Sequence, residues 1–167
     1  AQLAGSLNSP SPYSFNIEKA KALLVEAGYP EGIDPKTGRR LELVVEMGSS
    51  STNARQMMEL MADMYRKIGI VLKGSYNTWP AFIEKMNRRQ GQLFQLGWVA
   101  DYPDAENFLQ LLYGPNKSPG ANGSGYNNPE FNKLYKTASV MQDSPERTAL
   151  YEKMNRIAAE QAPWIYG

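Results

Sequence analysis

The chain has 167 residues, 42% of them hydrophobic and 21% charged, a balance that supports one buried core and argues against disorder. Its 18 basic and 17 acidic residues leave a net charge of +1, which gives no general attraction to nucleic acid or anionic lipid. The chain contains neither His nor Cys. Disulfides, thiolate nucleophiles, Cys-based zinc sites, His-containing serine triads and His-ligated haem are therefore excluded within it.

Residues 1–12 are rich in Ser, Asn, Pro and Gly, a composition that predicts a linker entering from elsewhere. The first residues show neither a basic nor an apolar leader pattern, and no run approaches the roughly 18 apolar residues of a membrane span. We therefore expect a mature segment or an excised piece of a longer protein. Residues 13–167 are expected to form one domain.

Hydrophobic spacing and turn residues predict alternating helices and strands after this linker. Helices are predicted over 17–27, 52–68, 78–89, 105–112, 131–140 and 145–161. Strands are predicted over 41–47, 70–76 and 93–100, and the apolar character of the third predicts burial on both faces. This order is typical of an α/β fold with a mostly parallel sheet flanked by helices.

Caps and apolar faces refine two of these helices. Asn16 is expected to cap the first helix and Thr78 the third. In the second helix, six apolar residues are predicted on one buried side: Met57, Leu60, Met61, Met64, Tyr65 and Ile68. Methionines at this spacing could also bind a soft metal, but the absence of His and Cys favours the core, and no metal site is predicted.

The most informative window follows the third predicted strand, where open α/β sheets form their ligand crevices. Gly97 permits close approach of another backbone, and Trp98 offers a broad rigid surface with one N–H donor. Asp101, just past the strand, is an anion that could hold a ligand ammonium group. Tyr102 and Pro103 stiffen the exit from the strand.

The residues of this window leave two interpretations open. In one, Trp98 belongs to the core and Asp101 caps the helix that starts near Pro103. In the other, both side chains face a ligand.

Acids at 101, 104 and 106 could also bind Ca²⁺ or serve a glycosidase, but the last two stand where helix-start acids belong. A sugar platform could be built from aromatic residues, namely Trp79, Tyr102, Tyr113 and Tyr126.

The run Trp98–Leu109 resembles the signature of the extracytoplasmic oligopeptide- and dipeptide-binding proteins of bacterial ABC importers. Segments 16–29 and 128–134, the spacing from Trp79 to Trp98, and the closing run 162–166 resemble the same family in the same order. The likeness extends over nearly the whole chain from residue 13 onward. It implies the C-terminal lobe of a two-lobed periplasmic-binding-protein fold, joined to an N-terminal lobe outside this sequence.

The resemblance also implies roles for individual residues. Asp101 would pair with the α-ammonium group of a bound peptide, and Trp98 would line a side-chain pocket. The backbone from Gly97 to Val99 would pair with the peptide main chain, Trp79 would lie near the cleft, and Tyr102 would complete the ligand-binding set. Some relatives carry a Cys where this chain has Val99, so no disulfide braces that segment here.

Function follows from the same resemblance as an expectation. The protein would capture a di- or oligopeptide outside the cytoplasmic membrane and deliver it to an inner-membrane ABC permease, with no catalysis and no cofactor. It would be periplasmic, or membrane-anchored and extracellular in a host without an outer membrane. Another solute of the same family, such as a sugar, a nickel complex or haem, is the alternative. No nucleic-acid partner is expected.

Overall fold

The computed structural model describes residues 13–165, so the linker predicted over 1–12 lies outside the described residues. The strands are β1 (Glu42–Met47), β2 (Val71–Tyr76) and β3 (Leu93–Gln95). The helices are α1 (Ile17–Glu26), α2 (Thr52–Arg66), α3 (Trp79–Asn87), α4 (Glu106–Leu109), α5 (Pro129–Ala138) and α6 (Pro145–Gln161). Short 3₁₀ turns occupy Pro30–Gly32, Gln110–Leu112 and Gly114–Asn116. Among the described residues, no helix is both long and apolar enough to cross a membrane.

The described residues divide into two compact units. The sheet unit comprises residues 15–97, and the helical unit comprises residues 98–165 together with 13 and 14. The predicted α/β architecture is confirmed, with the parallel sheet in the first of these units. The expected division into a linker and a domain over 13–167 stays a prediction.

The sheet is parallel, in the order β2-β1-β3. Alternate residues of β1 point to opposite faces. Val45 and Met47 pack with Met58 of α2 in a buried cluster. Glu46 is 6% exposed and accepts hydrogen bonds from Lys85 of α3 (2.8 Å) and from Asn77 (2.7 Å). Covered faces on both sides explain why a parallel sheet is stable here.

Two glycines fix the connection that precedes β1. Gly32 and Gly69 both have positive φ, 72° and 87°. A Cβ on Gly32 would lie 2.4 Å from the Gly69 carbonyl oxygen, and one on Gly69 would lie 2.0 Å from the Glu31 carbonyl oxygen. Only glycine at both positions lets these two backbones approach so closely. The turn after α1 is thereby held against the turn between α2 and β2.

The predicted side-chain cap of α1 is confirmed, and α6 begins with a cap of the same kind. The side chain of Asn16 accepts from the Lys19 amide, and that of Ser144 accepts from the Arg147 amide. Thr78 occupies the N-cap position of α3 with an extended backbone, but its side chain makes no capping hydrogen bond. The predicted cap at Thr78 is therefore correct in position and wrong in mechanism.

The face of α2 that meets the sheet differs from the prediction. Met58 is 3% exposed, and the half-buried residues packed with it from α2 are Ala54, Met61, Ala62 and Tyr65. Met57, Leu60 and Met64, predicted to be buried, are 46% to 59% exposed. Apolar residues surround more than one side of this helix, and contact with β1 and β2 decides which side is buried.

The third strand is shorter than predicted. It ends at Gln95, whose parallel partner is Met47, the last residue of β1. Beyond that pair β1 offers no further backbone to bond. Residues 96–99 are accordingly exposed, Val99 by 87%, so the predicted burial on both faces through residue 100 is wrong.

The helical unit has its own core, built where α4, α5 and α6 meet. Its buried residues are Leu109, Leu112, Phe131, Tyr135, Ala138, Tyr151, Met154 and Ala158. The rings of Tyr113 and Tyr135 stack with centroids 4.3 Å apart, and Phe131 meets Tyr126 edge-on at 5.7 Å. This core supports the segment from Trp98 to Asn107 that carries most of the predicted site residues.

Candidate functional site

Four predicted site residues lie together in the segment 98–107 of the helical unit. Trp98 is 39% exposed, Val99 87% and Tyr102 44%, and Asp101 is exposed as well. Among the described residues, the structure shows no hydrogen bond to the backbone of Trp98 or Val99. This segment therefore presents an aromatic ring, a carboxylate and free main chain to its surroundings.

A single asparagine holds two of these side chains. Asn107 in the first turn of α4 is 0% exposed. Its Oδ1 accepts from the indole Nε1 of Trp98 (2.7 Å) and from the backbone amide of Asp101 (3.3 Å). Its Nδ2 donates to Oδ2 of Asp101 at 3.4 Å. The ring of Trp98 and the carboxylate of Asp101 are thus tied to one buried amide.

The first amide of the helix beyond Asp101 donates to a different acid, and the N-cap position is Ala105. Oδ1 of Asp104 accepts from the Glu106 amide at 2.9 Å, whereas α4 begins only at Glu106. The interpretation in which Asp101 caps this helix is therefore wrong. The amide of Glu106 is bonded to Asp104, and the side chain of Asp101 remains exposed.

Asp104 is also anchored from α6. Its Oδ2 accepts from Nη1 of Arg147 at 2.6 Å, and the Arg147 side chain is 11% exposed. Burial raises the pKa of the Asp104 carboxyl, but hydrogen bonds from the Glu106 amide and Arg147 outweigh that effect and hold the pKa below its usual value. The segment is thereby fastened at Asp104 to the core of the helical unit.

Glu106 provides a second anchor. Its two carboxylate oxygens accept from the hydroxyl groups of Tyr102 and Tyr135, one each. The hydrogen bond to Glu106 raises the pKa of Tyr102. Burial, and then the bond to Glu106, raise the pKa of Tyr135. Glu106 therefore serves as an acceptor for neutral phenols, and the Tyr102 hydroxyl is committed within the protein.

These pairings distinguish Asp101 from its neighbours. Asp104 has a cationic partner and Glu106 has two hydroxyl donors, whereas Asp101 receives only the Asn107 amide among the described residues. An exposed carboxylate with one oxygen uncommitted can accept hydrogen bonds from a ligand cation. Within the described residues, no group of three acids is arranged to hold a metal ion.

The remaining predicted residues lie in the sheet unit. Trp79 begins α3, is 55% exposed, and stacks on Phe82 with ring centroids 5.5 Å apart. A Cβ on Gly48 would lie 2.9 Å from the Trp79 ring, so a larger residue directly after β1 would collide with that ring. Gly97 is the last residue of the unit, and open space surrounds the position of an added Cβ.

Neither Asn107 nor Arg147 was singled out from the sequence, and Glu106 was considered only as a helix-start acid or as one of three acids for Ca²⁺ or glycosidase chemistry. One signal was present for Asn107, which lies four residues before Leu111 on the side of the helix that is otherwise buried. A polar residue on an apolar helix face has to find partners inside the protein. The partners themselves, Trp98 and Asp101, are brought to Asn107 by the turns of residues 99–105.

Comparison with protein families gives a match over residues 2–120 to the middle part of the bacterial extracellular solute-binding proteins, family 5. Among curated proteins, the chain is 34% identical over 155 residues to heme-binding protein A of Haemophilus influenzae, covering 92% of the chain and 27% of that relative. It is 30% identical over 149 residues to di/tripeptide-binding protein 3 of Pseudomonas aeruginosa, covering 89% of the chain and 27% of that relative.

A solved structure gives a likeness of the same kind. The ABC transporter-associated periplasmic binding protein DppA from Helicobacter pylori, in complex with the peptide STSA, superposes with a TM-score of 0.81 at 30% identity. The match covers 97% of the chain and 30% of that protein. The chain thus spans less than a third of the length of the proteins it resembles.

Proposed function

This chain belongs to family 5 of the bacterial extracellular solute-binding proteins, and on that premise we propose that it forms part of the peptide-capturing component of an ABC importer. It would supply one lobe of a two-lobed protein, whose other lobe lies in sequence outside these residues. The coverage of 27% to 30% of each relative's length supports this proposal. The captured ligand would pass to a membrane permease without any bond being made or broken.

The observation that carries the proposal is the state of Asp101. Its carboxylate is exposed, is steadied by Asn107, and has no cationic partner among the described residues. A peptide with a free amino terminus offers an ammonium group that such a carboxylate can bind. Truncating one side of a desolvated charge pair costs about 2–5 kcal/mol, so this contact is strong enough to set the register of the peptide.

The neighbouring residues support a peptide more than a compact solute. The backbone of Trp98 and Val99 has no hydrogen-bond partner among the described residues. An extended peptide can add main-chain hydrogen bonds there regardless of its side chains. The ring of Trp98 beside it offers a flat wall for one ligand side chain, with hydration filling the remaining space.

The site of capture would be the periplasm, or the outer surface of the membrane in a host that lacks a second membrane. One relative is named for haem, and this chain has no His or Cys to ligate the iron. Because that relative is named for haem, haem enters the test as a competing ligand, even though these two common iron ligands are absent. The Trp79 and Gly97 contacts implied by the resemblance stay predictions.

The test is calorimetric titration of the full-length polypeptide that carries this chain. We expect binding of a tripeptide with a free amino terminus and at least about 30-fold weaker binding of its N-acetylated form. Asp101→Asn is expected to weaken the free-amino tripeptide by about the same factor and to leave the acetylated form unchanged.

The matched control is Asp63→Asn. Asp63 is an exposed acid of α2 whose pairing with Arg66 is a surface ion pair, so the variant makes the same charge change at a site of little energetic weight. It should bind both peptides like the unchanged protein. Equal affinity for the free and acetylated peptides would refute the role of Asp101, and binding of haem in place of either peptide would favour the alternative ligand.

A further inference from the structure

Asn107 has an unusual set of partners for a buried side chain. Among the described residues, its three side-chain hydrogen bonds go to Trp98 and Asp101, the ring and the acid of the proposed site. The amide therefore links an interior helix turn to two side chains on the surface.

The orientation of this amide is determined by its partners. The indole N–H of Trp98 can only donate, so the atom 2.7 Å away has to be the carbonyl oxygen Oδ1. The amide nitrogen then faces the carboxylate of Asp101, which accepts. A flipped amide would set donor against donor and oxygen against carboxylate. One orientation satisfies both contacts, so the ring and the carboxylate are fixed relative to each other.

The backbone at Asn107 and the residues before it are themselves held in place by hydrogen bonds. Its backbone amide donates to the Asp104 carbonyl at 3.1 Å, and Asp104 is held by Arg147 of α6. The preceding residue, Glu106, is held by two tyrosine hydroxyls. The buried residues Leu109 and Leu111 follow in the next turn. Preorganised donors and acceptors lower the ordering cost that a ligand meets on binding.

We propose that Asn107 is the positioning residue of this site, aligning the carboxylate of Asp101 with the indole face of Trp98 before the peptide arrives. This inference rests on the proposed function and adds a residue to it. Asn107 is fully buried and would act through Asp101 and Trp98 without contacting the peptide. A residue of this kind affects the discrimination between free and blocked amino termini as well as the stability.

The test is a double-mutant cycle of Asn107→Leu with Asp101→Asn, measured by calorimetry with the free-amino and N-acetylated tripeptides. Leucine has the same number and branching of side-chain heavy atoms as asparagine, with a larger volume, and removes all three hydrogen bonds. Asn107→Leu alone is expected to weaken the free-amino peptide about 10-fold and the acetylated peptide far less. On the Asp101→Asn background it should change affinity by less than about 3-fold, because its route through the Asp101 carboxylate is already lost and only the contact with Trp98 remains.

A second readout requires no ligand. In a ¹H–¹⁵N spectrum of the chain, the indole N–H resonance of Trp98, assigned by its loss in Trp98→Phe, should shift in Asn107→Leu because its acceptor is gone. If leucine prevents folding, Asn107→Ser is substituted throughout, since its shorter side chain cannot reach the Asp101 carboxylate. Asn122→Asp, a change at another fully buried asparagine, controls for destabilisation and should leave the Trp98 resonance and the peptide discrimination unchanged.

The outcomes separate the two proposals. Equal binding of both peptides by the unchanged protein would overturn the proposed function of Asp101. An intact effect of Asp101→Asn combined with no effect of Asn107→Leu, or with fully additive losses, would overturn the positioning role alone. A shift of the Trp98 resonance accompanied by equal weakening of both peptides would reduce Asn107 to a structural residue.

Discussion

Two segments of the helical unit, 98–107 and 113–128, are each organised around one asparagine that is 0% exposed. In the second segment Asn122 donates to the carbonyl oxygens of Tyr113 (3.1 Å) and Tyr126 (2.8 Å). Its Oδ1 accepts from the Ser124 hydroxyl (2.9 Å) and the Gly125 amide (3.0 Å). Its partners are thus the backbone and one hydroxyl of its own loop. Asn107 instead reaches an exposed indole and an exposed carboxylate.

The difference shows that burial of a polar side chain does not by itself indicate function. Both asparagines satisfy the requirement that a buried amide be hydrogen-bonded. Asn122 replaces the regular backbone pairing that a long loop lacks, which is a structural task. Asn107 instead makes its side-chain hydrogen bonds with the indole of Trp98 and with Asp101, whose exposed polar groups could have bonded to water. The partners of a buried group, more than its burial, distinguish the structural segment 113–128 from the segment 98–107 that carries the proposed site.

The largest expected effect on stability is at Asn122. Asn122→Ala removes four hydrogen bonds and leaves the carbonyl groups of Tyr113 and Tyr126 without this donor. We expect the free energy of unfolding to fall by about 3 kcal/mol, measured by urea denaturation, with no change in peptide discrimination. A loss below about 1 kcal/mol would show that the loop does not depend on this side chain.

Asn127→Ala is the control in the same loop. Asn127 is exposed, and its Oδ1 accepts from Nδ2 of Asn132 at 2.7 Å. The substitution is chemically identical to that at Asn122, but water can replace the lost partner. Its expected cost is about 0.5 kcal/mol. Similar losses at both positions would mean that the burial of Asn122 contributes nothing special.

A smaller effect is expected where α6 anchors the segment 98–107. Arg147 donates to Asp104 at 2.6 Å and to the Ala138 carbonyl at 3.0 Å. Arg147→Met keeps much of the side-chain volume and removes both bonds, and we expect a loss of about 2 kcal/mol at pH 7, since both partners are only partly buried. The loop 113–128 does not contribute to this ion pair, so Arg147→Met removes an anchor from the segment 98–107 and leaves the hydrogen bonds of Asn122 unchanged.

The pH dependence of that loss follows from Asp104. Its native pKa is lowered, so the pairing contributes in full above the ordinary aspartate value of about 4 and is lost as the pH falls through the lower native value. The difference in unfolding free energy between the unchanged protein and Arg147→Met should therefore shrink from pH 7 to pH 2. An equal difference at both pH values would contradict a charge-based anchor. Arg147→Lys, which keeps the charge, should lose less than Arg147→Met at pH 7.

Much of the fold was accessible from the sequence because its signals are local. Asn16 caps its helix as predicted, and the alternation of helices and strands follows from hydrophobic spacing. The errors arise where a distant segment decides. The length of β3 depends on where β1 ends at Met47, and the buried side of α2 depends on which of several methionines the sheet receives.

The candidate site divides in the same way. Trp98 and Asp101 were singled out together because they are close in sequence just after the third predicted strand, and the ligand-binding roles that the resemblance implies for them stay predictions. The role of Asn107 could not be predicted, because it is defined by three hydrogen bonds that exist only after the turn has folded over α4. A sequence pattern can identify the side chains of a candidate site, whereas the hydrogen bonds that orient those side chains are seen only in the structure.

The smallest expected effect is at Tyr102, and it tests whether the proposed site includes the Tyr102 hydroxyl. The Tyr102 hydroxyl donates to Glu106, and its ring is 44% exposed. Tyr102→Phe removes only the hydroxyl. We expect a loss of about 0.5 kcal/mol in unfolding free energy and a change of less than about 3-fold in peptide affinity, because Asn107 still holds Asp101 and Trp98.

Tyr126→Phe, which removes a hydroxyl bonded to Gln161 at 2.7 Å, is the matched change in the other segment and should leave peptide affinity unaltered. A 10-fold loss of peptide affinity in Tyr102→Phe alone would mean that the hydroxyl leaves Glu106 for the ligand, and would make Tyr102 a direct ligand contact.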